Sequence, residues 1–149
     1  MNKPVTPSSK LWHRFGKYFP YSVVDVIIFN AEGNFLLTKR TIAPYKNKWH
    51  LPGGMVKKGH TMKDTVIIVA KKEVNLKVKV DRFLGVYELF APTRHDISHV
   101  FITHILEGEI KLDFQASDVK FFKNPPKNMI PTQRRMLLDA KSLLKSHDS

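Results

Sequence analysis

The 149 residues, 42% hydrophobic and 26% charged, have the length and mix of one globular domain with enough chain to bury a core. No run of about 18 apolar residues exists to cross a bilayer, and the opening MNKPVTPSSKLWHRF lacks the apolar stretch of a secretory leader, so a cytoplasmic protein with no membrane partner is expected. The absence of cysteine excludes disulfides, thiolate metal sites and cysteine nucleophiles, and 25 basic against 13 acidic residues leave a net charge of +12 that favours polyanionic ligands such as nucleotides.

In chain order, residues 1–20 mix proline, serine, basic and aromatic residues without sustained periodicity and read as a poorly regular arm, with Leu11, Trp12, Phe15 and Phe19 packing on a single domain over 21–149. Ser22 to Phe29 is a dense β-branched run, Asn30 to Asn34 is turn chemistry and Phe35 to Arg40 is a second strand, which together predict a hairpin. Asp25 falls inside the first strand among apolar neighbours, where a carboxylate is costly without a partner. A polar loop through Pro44 and Asn47 leads to Trp49-His50-Leu51-Pro52-Gly53-Gly54, a short strand ending in two glycines where bare backbone can approach another group.

Thr61 with Asp64 three residues on resembles a helix start, and helical spacing aligns Met62, Val66, Val69, Ala70 and Glu73. The run Thr65 to Val69 favours a strand by propensity alone, so pattern and propensity conflict there. Leu76–Phe90, Ile97–Leu106 and Val119–Phe122 are predicted strands, and Pro131 opens a closing helix with the apolar stripe Met136, Leu137, Ala140, Leu143 and Leu144. Strands on either side of one inner helix, with a helix to close, predict an α/β sandwich. The lysines and arginines are scattered rather than gathered in one block, the pattern of solvated faces, and nucleic acid is not expected as a partner.

The segment LLTKR, then WHLPGGMVKKG, resembles the approach to the Nudix box, whose pattern is G-x5-E-x7-R-E-U-x-E-E-x-G-U with U aliphatic. With the box glycine at Gly54, His60 replaces the first Glu, Ile68 the Arg, Val69 the next Glu, Lys72 the first of the paired Glu and Asn75 the later Gly. Ala70 and Leu76 fit the aliphatic positions, and Glu73 alone remains of the acidic set. The resemblance implies an α/β/α sandwich with a mixed sheet, a box helix and a C-terminal amphipathic helix. Nudix pyrophosphohydrolases gather several carboxylates around two or more Mg²⁺, and this box has too few for that.

From Ser22 to about Phe122 the chain is similar to the GDP-mannose mannosyl hydrolase branch, which works with one Mg²⁺ and attacks at the sugar carbon. That resemblance implies metal ligands at Gly53, Glu73 and Gln115 and substrate contacts at Asp25 and Arg40. Two positions depart from the branch: its general-base histidine corresponds to Ala116 and its second substrate arginine to Met55. Loss of a general base typically costs about 10² to 10⁴ in rate. His60, His95, His99 and Asp118 are the replacements that chemistry alone suggests, and the catalytic base is left unassigned.

Two functions are therefore compatible with the residues. One is a Mg²⁺-dependent hydrolase of a nucleotide sugar or related nucleoside diphosphate derivative. The other is a catalytically silent Nudix domain that binds such a ligand as a sensor or partner module. The N-terminal arm leaves room for a homodimer.

Overall fold

The computed structural model describes residues 3–43 and 45–147; Pro44, expected in the polar loop, lies outside them. The β-branched run becomes β1 (Tyr21–Phe29), and the turn at Asn30–Asn34 returns the chain as β2 (Phe35–Arg40), with Phe29 opposite Phe35. The predicted glycine-ended strand is in fact two: β3 (Trp49–His50) on the edge beside β2, and β4 (Gly53–Met55), which holds both glycines and pairs with β1. Pro52, with no N–H to give a ladder, separates them. Then come helix α2 (Met62–Val74), strands β5 (Lys77–Ala91), β6 (Arg94–Glu107) and β7 (Ala116–Phe122), and helix α3 (Pro131–His147). A further helix, α1 (Ser9–Tyr18), precedes them all.

The seven strands form one mixed sheet with the path β3-β2-β1-β6-β5, β4 added to β1 and β7 to β2. β1 and β6 run parallel over nine residue pairs, from Tyr21 opposite Asp96 to Phe29 opposite His104. The other strand pairings are antiparallel. Both faces of β1 are covered, which is why its sequence reads as a nearly continuous apolar run. Val24, Val26 and Ile28 meet Val66, Val69, Ala70 and Val74 of α2 on one face. Ile27 joins Phe35, Leu37 and Leu51 against Met136, Leu137 and Ala140 of α3 on the other. The sandwich predicted from the sequence is thus present, with a helix layer on each side.

The conflict over residues 65–69 resolves in favour of the helix. β-Branched residues cost at most about 0.7 kcal/mol each in a helix, whereas a fully buried valine contributes roughly 1.5–3 kcal/mol. Val66, Val69 and Val74 are all buried, so packing outweighs propensity. Thr61 caps the helix with both arms of a capping box: its hydroxyl accepts from the Asp64 N–H and its own N–H donates to the Asp64 carboxylate. At the far end Asn75, standing at the box's glycine position, adopts a left-handed conformation with φ of 61°. Asparagine is one of the few residues besides glycine that visits this region readily, so the helix stop survives the substitution.

The first twenty residues differ from expectation. Ser9–Tyr18 is helical, its start fixed by the Ser8 hydroxyl accepting from the Leu11 N–H. Aromatic residues and a glycine are weak helix formers, which hid the period from the sequence reading. Trp12 stacks on Tyr21 with ring centres 5.0 Å apart, and the Tyr21 hydroxyl donates to the Trp12 carbonyl at 2.7 Å. Phe15 also meets Tyr21, but Leu11 and Phe19, expected to pack, are exposed. Among the described residues no helix is long and apolar enough to cross a membrane.

α1 approaches Tyr21 through Gly16, where an added Cβ would overlap the tyrosine hydroxyl. Gly16→Ala is therefore expected to displace Tyr21 or lift the helix, lowering stability by about 1–3 kcal/mol. Urea unfolding together with Trp12 fluorescence would read this; unchanged midpoint and emission would show that the glycine is not needed.

Candidate functional site

The sheet brings Asp25 and Gly53 side by side, since they are partners in the β1–β4 ladder. Asp25 is only 6% exposed and lies on the α3 side of the sheet. It accepts from the Ser98 hydroxyl on β6 and from Gln133 Nε2 of α3, the latter at 3.3 Å. The other end of the Gln133 amide accepts the Leu51 N–H at 2.8 Å, so one side chain ties α3 to both the buried carboxylate and the strand leading to Gly53. Burial pushes the Asp25 carboxyl up to about 7; the Ser98 bond opposes this, Asp96 adds to it and Arg94 opposes it. A Cβ at Gly53 would fall on the Asp25 carboxylate and the Val24 carbonyl, so only glycine lets β4 lie this close.

Glu73, in the last turn of α2, receives the Gly53 N–H. Burial raises its carboxyl to about 8; Asp113 and Asp25 raise it further, while the Gly53 N–H and Arg40 work the other way. Arg40 ends β2 at a register shift against β7. Partial burial lowers its guanidinium pKa, while the Glu73 carboxylate supports the charged form. The guanidinium also leans on the carbonyls of Ile42 and Ala43, at 3.3 and 3.4 Å.

Glu73 and Gln115 line one cavity together with Thr38, His50, Asp113 and Ala116. The loop between β6 and β7 is tied down at this point: the Thr41 N–H and hydroxyl donate to the carbonyls of Gln115 and Phe114, and the Gln115 N–H donates to Asp113 Oδ1 at 3.0 Å. Of the five expected site residues, Gly53, Glu73 and Gln115 thus converge, Arg40 stands within electrostatic reach of Glu73, and Asp25 lies beneath Gly53. Lys72, at a position where the box has a carboxylate, is exposed and does not line the cavity.

Asp113 and His50 were missed from sequence. Asp113 carried one signal, its position two residues before Gln115 in an otherwise irregular loop. His50 is buried and held down to about 4 by desolvation, against a stabilising bond to the Leu51 carbonyl. Because that carbonyl can only accept, Nδ1 carries the proton, and the neutral ring's Nε2 accepts from the Thr38 hydroxyl at 3.2 Å. None of the four bases suggested by chemistry lines the cavity: His95 faces Glu88, His99 bonds the Val23 carbonyl, Asp118 accepts its neighbour's N–H, and His60 begins the approach to α2.

Residues 20–137 match the family model described as NUDIX domain. The chain is 40% identical over 114 residues to an ADP-ribose pyrophosphatase of Methanocaldococcus jannaschii, covering 72% of this chain and 66% of that protein. It is 30% identical over 146 residues to the low-salt glycan biosynthesis protein Agl8 of Haloferax volcanii, covering 91% of this chain and 92% of that one. Among solved structures, the MutT protein of Methanosarcina mazei superposes with a TM-score of 0.74 at 19% identity, covering 84% and 96% of the two chains. A UDP-X diphosphatase superposes with a TM-score of 0.72 at 19% identity, covering 95% and 73%. These two likenesses speak for the fold.

The Asp25 carboxyl gives the fold a definite pH response. Between its ordinary value of 3.8 and about 7, the folded chain keeps a proton that the unfolded chain has lost, so this group's contribution makes stability fall as pH rises through that window and level off above it. Asp25→Asn removes this group's share of the slope and leaves that of Glu73. Relative to the parent, the variant is expected to gain on the order of a few kcal/mol between acid and mildly alkaline solution. Urea midpoints of both proteins across this range test it, and parallel curves would refute the assignment.

Proposed function

The chain belongs to the NUDIX domain family, and on that premise we propose that it hydrolyses a nucleotide sugar or related nucleoside diphosphate derivative with the help of one Mg²⁺. The observation that carries this reading is the convergence of Glu73 and Gln115 on one cavity, with the Gly53 backbone bonded to Glu73. The donor set fits a hard cation: it is all oxygen, and two carboxylates, Glu73 and Asp113, face each other's field with too few positive groups to balance them. Gly53, Glu73 and Gln115 would hold the ion, and Asp113 would share in neutralising it. Bound there, Mg²⁺ supplies a Lewis acid for the negative charge of a diphosphate.

The chain's own residues divide the remaining work. Arg40 is placed to take a phosphate oxygen, its charge already balanced against Glu73. Asp25, sealed by Ser98 and Gln133, acts on the substrate through Gly53 and the β4 backbone that it positions. Residues 21–149 are the catalytic domain in this reading, and the first twenty are an appended arm. The names borne by the two relatives, an ADP-ribose pyrophosphatase and a glycan biosynthesis protein, support a nucleoside diphosphate derivative as the substrate class. The one-metal ligand set supports the GDP-mannose mannosyl hydrolase branch within it.

Ala116 favours a second reading, a Nudix domain that binds its ligand without turnover, because the branch's general-base position holds a side chain that cannot accept a proton. The two readings part on product. With Mg²⁺ and a panel of nucleotide sugars, we expect release of an intact nucleoside diphosphate and free sugar, lost in Glu73→Gln together with most Mg²⁺ affinity. Appearance of a nucleoside monophosphate would place attack at phosphorus instead. Ligand-induced thermal stabilisation with no product, surviving chelator, would establish the silent reading.

Restoring the base tests the same point from the other side. Ala116→His is expected to raise kcat by about 10² or more, with a new limb in the pH profile near the histidine range. An unchanged rate and profile would show that the proton leaves by another group.

A further inference from the structure

Helix α1 carries its apolar side chains in an unusual direction. At about 100° per residue, Leu11, Phe15 and Tyr18 form one stripe along the helix, with Phe19 continuing it. Trp12 and Gly16 lie to one side of that stripe and make the contact with Tyr21. Lys10, Arg14 and Lys17 lie to the other side. The docked edge is well defined: Tyr21 is held between the Trp12 ring and the Arg94 guanidinium, the latter 4.6 Å from the ring centre. Docking this way leaves Leu11, Tyr18 and Phe19 facing outward, 56%, 67% and 60% exposed, while Phe15 also leans on Tyr21.

The charge around the stripe has one sign. No acidic residue occurs before Asp25, while Lys3, Lys10, Arg14 and Lys17 all do. Asp96, the carboxylate opposite Tyr21, is already engaged by Arg94 at 2.8 Å. What remains open is an apolar ridge bordered by lysine and arginine.

We propose that α1 is a docking surface for the headgroup region of an anionic lipid bilayer. An aromatic and aliphatic ridge flanked by cations is the composition of a helix that lies in a membrane interface. The lack of a spanning segment bears on crossing a bilayer, and a surface helix needs none. A second copy of this chain would bring the same cations against themselves. A nucleic acid would engage the lysines and an aromatic ring but would offer no partner for Leu11. The lipid interface supplies anionic groups and an apolar layer together. One short helix gives weak, reversible attachment that depends on both components.

The test is co-sedimentation of the full chain with vesicles of phosphatidylcholine alone and of phosphatidylcholine mixed with phosphatidylglycerol, at low and high salt, beside sedimentation of the protein by itself. We expect partition onto the anionic vesicles to exceed that onto the neutral ones at least about tenfold, to weaken with salt, and to fall at least about tenfold in the Leu11→Ser, Tyr18→Ser double variant. The thermal midpoint of that variant is expected to match the parent's, because both side chains stand on the outward side. Absence of binding to anionic vesicles overturns the proposal. So does binding that the double variant leaves intact, which would be attraction by the net charge alone, and so does a dimer that the double variant dissolves, which would make a second copy the occupant.

Discussion

The arrangement of the molecule turns on one buried carboxylate. Asp25 sits in the middle of the strand that both helix layers cover, and the surrounding structure is organised to satisfy it. β6 supplies Ser98 in parallel register, α3 supplies Gln133, and β4 lies against it only because Gly53 has no side chain. Leaving such a group unpartnered costs several kcal/mol, comparable with much of a small domain's net stability. The docking of α3, the register of β4 and the level at which the Gly53 backbone meets Glu73 are therefore linked. An apolar residue at position 25 would release all three constraints at once.

The site above Asp25 carries negative charge that its neighbours do not balance. Glu73 feels two other carboxylates, Asp113 and Asp25, and one nearby cation, Arg40, in surroundings that water screens poorly. Lys72 does not relieve the imbalance, because its helix position turns it to solvent. The substitutions that stripped the box thus fall into two physical groups. Those at His60 and Val69 remove negative charge, whereas Ile68 drops a positive charge and Lys72 holds its own outside the cavity. Asp113, which comes from a loop that no box pattern includes, adds to the negative charge left beside Glu73.

The sandwich was legible because its signals were local and redundant: β-branched runs for the buried strands, Thr61 and Asp64 for a helix start, Pro131 and a clean apolar stripe for the last helix. Gly53, Glu73 and Gln115 were legible only through family resemblance, since their spacing alone is unremarkable. Asp113 and His50 were not, because a loop carboxylate and a strand histidine acquire meaning only when the β6–β7 loop folds over the end of α2. α1 was missed for a different reason. Its docking depends on one ring, Tyr21, and the residues that face outward obscure the period of those that face in.

The box helix shows that scaffold and chemistry can diverge separately. Asn75 takes the place of a glycine whose requirement is conformational, and it meets that requirement with a left-handed backbone while its side chain donates to the Glu109 carbonyl at 2.8 Å. Gly54 faces a different requirement, since a Cβ there would press on Val69, and it has been kept. Val69 itself stands where the box has a glutamate, and it is buried in the α2 face of the core. A carboxylate at that point would now need a partner that the apolar cluster does not offer. The core has therefore closed around the change, so returning one glutamate to the box would not by itself rebuild its set of carboxylates. Whatever chemistry the site supports has to run on Glu73 and the groups that the β6–β7 loop brings to it.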